Sequence, residues 1–283
     1  MIYIFLSACC SVFVSILLKL SKRYEIDTPQ AITWNYSIAA ALTFLIFRPD
    51  VPPLTGNVYS IYMALEILLP SLFIVLALSV RYTGIVRTDI AQRLSLFIPV
   101  LAAFLIFHES YSSIKIAAIG MAFIAIIFSI PWQKQTETSN NYWIYPLVVF
   151  LGMGIIDILF KQISRMENIP FTSSLLIVFT FAFIISMVYI SYHVLTNGVR
   201  IRKTNLIAGW ILGIFNFGNI FFYLKAHQAL SNQPSLVFSS MNIGVILLGS
   251  AVGVLIFREK LSRLNYIGIV MALISILIFS LAK

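Results

Sequence analysis

Apolar runs follow one another along the whole chain, separated only by short polar stretches. Ten of them are predicted as helices, at 2–21, 31–48, 58–80, 88–107, 113–131, 143–163, 172–194, 205–227, 234–257 and 264–282. A run of about 20 apolar residues is long enough to cross the hydrocarbon of a bilayer as an α-helix, which satisfies its own backbone polar groups. The pattern therefore predicts an all-α integral membrane protein with ten transmembrane helices. The first helix has neither a basic leading segment nor a small-residue cleavage site before a polar mature chain. It is expected to be retained rather than removed as a signal.

The pattern also repeats. Residues 16–25 (ILLKLSKRYE) match 158–167 (ILFKQISRME) at Ile, Leu, Lys, Arg and Glu, 142 positions on. Residues 105–126 match 255–276 at ten of 22 positions, 150 positions on. The eight extra residues fall most simply near 197–204 (NGVRIRKT). The chain thus divides into a first five-helix repeat at 1–131, a polar linker at 132–142 and a second five-helix repeat at 143–283. An odd helix count makes the second copy enter from the opposite side of the membrane. The expected fold is two five-helix inverted-topology repeats, an arrangement common among secondary transporters.

Composition removes the other classes. Of 283 residues 60% are hydrophobic and 10% charged, and the mean hydropathy is +0.97, whereas soluble domains are about 25% charged. The net charge of +9 does not imply a nucleic-acid partner, because the basic residues stand singly or in threes beside helix ends. Cys9 and Cys10 read as packing residues, and no spacing suggests a disulfide, a metal or a cofactor. No HExxH, paired aspartates or nucleophile motif marks an enzyme.

Several short patterns carry a family resemblance. Pro99 in the fourth run is followed ten residues on by Glu109, a turn and a small-residue helix; Phe257-Arg258-Glu259-Lys260-Leu261 with Gly268 repeats this, and Ala77-Leu78 through Tyr82 precedes it. Over essentially the whole chain this resembles an EamA-type member of the drug/metabolite transporter superfamily. The resemblance implies a ten-helix carrier of small metabolites working by alternating access. The related four-helix drug pumps carry a glutamate in their first helix. Here Ser15 stands there, opposite Asp157 in the repeat, which argues against exchange of drug cations for protons.

Ionisable and polar residues inside the apolar runs are the candidate chemistry, since each needs a cavity or a partner. Asp157 follows Gly152 and Gly154, and Lys161 lies four residues on; the two form either a structural ion pair or part of a binding site. Lys19, the repeat mate of Lys161, reads as a substrate contact or as a side chain snorkelling to the interface. Glu66 is an isolated acid in the third run. Asp89 and Arg93 form another i, i+4 pair, while Arg81 and Lys225 sit at equivalent helix ends. Pro99 and Gly249, 150 positions apart, are candidate helix breaks, and paired breaks point to the binding region of such carriers. Gln92, Ser95 and Asn242 lie near them, and Asn216, Asn219 and Tyr223 share one helix face. Glu109 and Glu259 are expected to accept from the N–H groups opening the following helix. Trp34, Asn35 and Tyr36, with His108, His193 and His227, are expected at the membrane interface.

These readings lead to a secondary transporter that exports or exchanges a small polar metabolite, an amino acid or organic anion. Its partners are that substrate and membrane lipid, with protons as the candidate coupling ion, and it acts as a monomer or homodimer. The alternatives are a flippase for a lipid-linked head group, a membrane scaffold or an intramembrane enzyme. Orientation divides the signals. Thirteen Lys and Arg lie on the face away from the termini and six on the other, so the positive-inside rule puts the termini outside, whereas the resemblance puts them inside.

Overall fold

The computed structural model describes residues 1–50, 56–83, 85–110, 112–129, 142–166, 169–198, 200–255 and 262–281. Among them run eleven α-helices and no strand: α1 (Ile2–Arg23), α2 (Thr28–Phe47), α3 (Gly56–Thr83), α4 (Ile85–Leu94), α5 (Phe97–Leu105), α6 (Ser113–Ser129), α7 (Ile144–Ser164), α8 (Phe171–Asn197), α9 (Lys203–Ala229), α10 (Pro234–Leu255) and α11 (Arg263–Leu281). Six helices among the described residues are long and apolar enough to cross a membrane, joined by four shorter apolar segments. Leu105, Val188, Leu195 and Leu255 point outward, each more than two-thirds exposed. Buried polar side chains such as Gln30, Asn205 and Lys161 point inward. That inside-out distribution suits hydrocarbon as the solvent, and the chain is an integral membrane protein. Except for Tyr142, the linker at 132–142 lies outside the described residues.

The fourth apolar run is two helices, not one. α4 stops at Leu94 and α5 starts at Phe97, because the ring of Pro99 excludes the carbonyl four residues earlier, that of Ser95. The Ser95 carbonyl instead accepts from the Ile98 N–H at 3.0 Å. The expected break at Pro99 therefore falls a turn before it. Gly249 causes none, since α10 runs through it from Pro234 to Leu255.

Helices from the two ends of the sequence interleave. α2 packs on α9 and α8, α3 on α7 and α8, α1 on α9 and α10, and α6 on α11, while α4 and α5 lean on α7. The α2–α9 pair is the closest. A Cβ added at Gly213 would collide with Ile38 and lie 2.5 Å from the Asn35 carbonyl oxygen; one at Gly209 would lie 2.5 Å from that of Ala31. Gly213→Ala is expected to cost about 1–3 kcal/mol by forcing the two backbones apart, read as a lower unfolding temperature of the purified protein.

Hydrogen bonds tie the loops into two separate ends. At one, the buried Gln30 side chain donates to the Arg200 carbonyl (3.1 Å) and accepts from the Arg202 N–H (3.3 Å) and the Asn205 amide (2.9 Å). The Asp27 N–H donates to Asn205 Oδ1 at 3.1 Å. At the other, Glu109 accepts from the Ser235 N–H (2.8 Å), the Ser235 hydroxyl (2.7 Å) and Lys115 Nζ (3.2 Å). Glu109 therefore caps α10, from the other half of the chain, rather than the α6 that follows it; Glu259 lies outside the described residues. Lys161 also serves this end. Its Nζ donates to the carbonyls of His227 (3.3 Å) and Ser231 (3.2 Å), where a cation meets the negative end of α9. The expected Asp157–Lys161 pair is absent, because Lys161 turns to those carbonyls.

Candidate functional site

A cavity of about 330 Å³ opens among α1, α3, α4, α7, α9 and α10. Two glycines on α7 set its acid in place. A Cβ at Gly152 would lie 2.6 Å from Leu72 of α3, and one at Gly154 2.6 Å from Ile98 of α5. This close packing brings Asp157, the next turn of α7, against the opening. The Tyr223 hydroxyl donates to Asp157 Oδ1 at 3.0 Å, so the carboxylate keeps acceptor capacity for a further donor. Tyr223 is held edge-on by His227, with ring centres 4.7 Å apart, and His227 in turn meets Phe238 at 4.7 Å.

Amides and hydroxyls complete the polar wall. Asn219 Oδ1 accepts from the Ser7 hydroxyl at 2.8 Å, which joins α9 to α1. Asn216 sits one turn earlier on the same face, without a hydrogen-bond partner among the described residues. Asn242 donates to the Phe238 carbonyl at 3.2 Å, leaving its own oxygen for a ligand. Gln92, Arg93 and Ser95 come from the last turn of α4 and the break after it, where the Ser95 hydroxyl donates to the Gln92 carbonyl at 2.6 Å. One carboxylate and one guanidinium thus face a space lined otherwise by amides, hydroxyls, Phe73, Phe160 and aliphatic side chains.

The lining positions recur at fixed spacings. Ser11, Val14, Ser15 and Leu18 of α1 correspond, 142 positions on, to Met153, Ile156, Asp157 and Phe160 of α7. Leu69, Leu72, Phe73 and Leu76 of α3 correspond, 147 positions on, to Asn216, Asn219, Ile220 and Tyr223 of α9. Gln92 and Ser95 of α4 correspond, 150 positions on, to Asn242 and Val245 of α10. The positions match but the chemistry does not. Asp157, Asn216, Asn219 and Tyr223 stand where the first half has serine and leucine.

Of the residues singled out from the sequence, Asp157, Gln92, Arg93, Ser95, Asn216, Asn219, Tyr223 and Asn242 are brought together in this cavity. Lys161 and Glu66 are not. Glu66 is buried on α3, one turn before Leu69, and has no hydrogen-bond partner among the described residues. The side chains of Lys19, Arg81 and Asp89 lie outside the described residues. Pro99 is buried in the first turn of α5 behind the cavity break, and Gly249 has open space beside it. Lys225 sits 5.1 Å over the Phe171 ring, away from the cavity. His227, Asn35 and Tyr36 are buried inside the bundle, each no more than 1% exposed. Ser11 and Ser15 line the cavity without having been singled out as contacts; the pairing of Ser15 with Asp157 was the available signal.

No family model matches the chain. It is 42% identical over 276 residues to an uncharacterized protein of Haemophilus influenzae, covering 94% of this chain and 93% of the relative. A crystal structure of another protein, 13% identical, superposes with a TM-score of 0.77 over 99% of this chain and 96% of the other. The second likeness concerns the fold.

Proposed function

We infer that this chain, which belongs to one family with the Haemophilus influenzae protein, is a secondary active transporter that exports or exchanges a small polar metabolite by alternating access. The observation that carries this is the polar cavity enclosed by membrane helices of both halves, with Asp157 and Tyr223 hydrogen-bonded in its wall. A buried acid in such a setting is costly unless it serves a ligand or ion. One carboxylate and one guanidinium among amides suit a zwitterion or organic anion, such as an amino acid. Protons are the coupling ion this acid would accept.

The architecture we propose is ten crossings in two inverted five-helix repeats, of the EamA type, in the cell membrane of a prokaryote. Three observations support it. Six long and four shorter apolar segments make ten. The helix pairs are preserved when each helix is exchanged for its counterpart: α1 on α9 corresponds to α7 on α3, and α2 on α9 to α8 on α3. The loops also segregate as alternate crossings require. The start of α2 bonds to the α8–α9 loop and the start of α9, and Glu109 of the α5–α6 loop bonds to the first turn of α10 at the other end.

The test is untargeted metabolite profiling of cells and medium with and without expression, using Asp157→Asn as the control. A metabolite that redistributes across the membrane only with the native chain identifies the substrate. Identical profiles with native and Asp157→Asn protein, both inserted, would overturn the role of Asp157.

A further inference from the structure

A second cavity adjoins the polar one at Leu18, and its own lining is almost wholly apolar. It occupies about 400 Å³ between the end of α1, the start of α2 and the first half of α9. Leu17, Leu20, Ile26, Ile207 and Ile211 make its walls, and Tyr24, 67% exposed, stands at its rim. An apolar slot of this kind facing lipid is suited to a hydrocarbon chain, and exposed tyrosine is characteristic of headgroup depth.

Charge stands beside the slot. Arg200, Arg202 and Lys203 are all exposed and immediately precede Thr204, which lines the slot. Their backbone is fixed: Gln30 grips the Arg200 carbonyl and the Arg202 N–H, and Asn205 is locked to Gln30 and Asp27. The basic segment is therefore held directly over the apolar walls. The nearby acids are Glu25 and Asp27, and Asp27 is engaged in accepting from the Gln30 N–H at 3.0 Å.

We propose that this slot is a binding site for an anionic phospholipid of the surrounding membrane, an acyl chain lying between α1 and α9 and the phosphate meeting Arg200, Arg202 and Lys203. The site is separate from the substrate cavity and does not rest on the transport reading. The two adjoin at Leu18, which lines both. A bound lipid here braces the start of α9, whose later turns carry Asn216, Asn219 and Tyr223.

The experiment is native mass spectrometry of the full chain, released from micelles containing equal phosphatidylglycerol and phosphatidylcholine. Each basic residue near an anionic headgroup is worth about fivefold, so three give a preference on the order of 100-fold. The native protein is expected to retain phosphatidylglycerol, and the Arg200→Gln, Arg202→Gln, Lys203→Gln triple variant to lose that preference. All three side chains are exposed and the Gln30 contacts are to backbone, so the fold is left in place. Ala208→Trp, which fills the slot, is expected to reduce retention with the charges intact. Equal retention of both lipids by the native protein, an unchanged preference in the triple variant, or undiminished retention by Ala208→Trp would each overturn the proposal.

Discussion

An Asp157→Asn protein is expected to insert and fold as the native chain does and to lose about 100-fold in transport rate. The side chain keeps its size, so α7 still packs through Gly152 and Gly154 against Leu72 and Ile98. What it loses is the charge, and with it the stronger hydrogen bonds a carboxylate offers. Hydrogen bonds to charged groups are worth about 1.5–3 kcal/mol each, a factor of about 10–100 in rate or affinity. Tyr223→Phe keeps the carboxylate but removes its donor at 3.0 Å; a loss of about tenfold is expected. Both are measured in proteoliposomes once the substrate is known, alongside the unfolding temperature. If Asp157→Asn transports at the native rate, the cavity acid has no part in the cycle.

The largest loss of stability is expected from Glu109→Ala, at the end of the bundle that Lys161 also serves. Glu109 and Lys115 are 5% and 6% exposed, and the carboxylate serves three donors. Its removal leaves the Lys115 cation buried without its counter-charge and the first turn of α10 uncapped. Breaking a buried pair from one side costs about 3–5 kcal/mol. The penalty belongs largely to the stranded cation, so adding Lys115→Met to Glu109→Ala should recover part of it. The readout is thermal unfolding of the purified protein in detergent. A native-like melting temperature for Glu109→Ala would mean that water already reaches this end and shares the load.

Polarity inside apolar runs pointed to most of the polar cavity wall, though Lys161 and Glu66 carry the same signal and lie outside it, and that has a physical reason. In hydrocarbon a polar side chain has few places to go, so Asp157, Asn216, Asn219, Tyr223, Gln92 and Asn242 converge on one internal space. Partners were harder to read. The i, i+4 spacing of Asp157 and Lys161 puts them on one face, but it cannot reveal that the end of α9 presents two carbonyls nearer to the lysine. Glu109 is in sequence beside α6, which it meets through the Lys115 side chain, while the N–H it accepts from belongs to α10, 126 residues away. Gln30 and Asn205 gave no sign at all. Both are ordinary amides near helix starts, and their bond spans 175 positions. Pro99 announced a break, but its position followed from the carbonyl the ring displaces rather than from the proline itself. Gly249 is permissive without being a hinge, because the helix hydrogen bonds continue through it.

The seating of α9 on α2 bears on which parts of the protein can travel. Where Gly209 and Gly213 meet Ala31 and Asn35 the two backbones come close together, and Gln30 pins the same two helices at their starts. Under the transport proposal they are expected to move as one body. The counterpart pair, α3 and α8, is joined by Tyr62 and Ser174 at 2.7 Å. Each such body takes one helix from either side of the polar linker. Under the transport proposal, a chain severed in that linker is expected to leave two fragments that each hold one helix of either pair, with no transport until the two have interlocked.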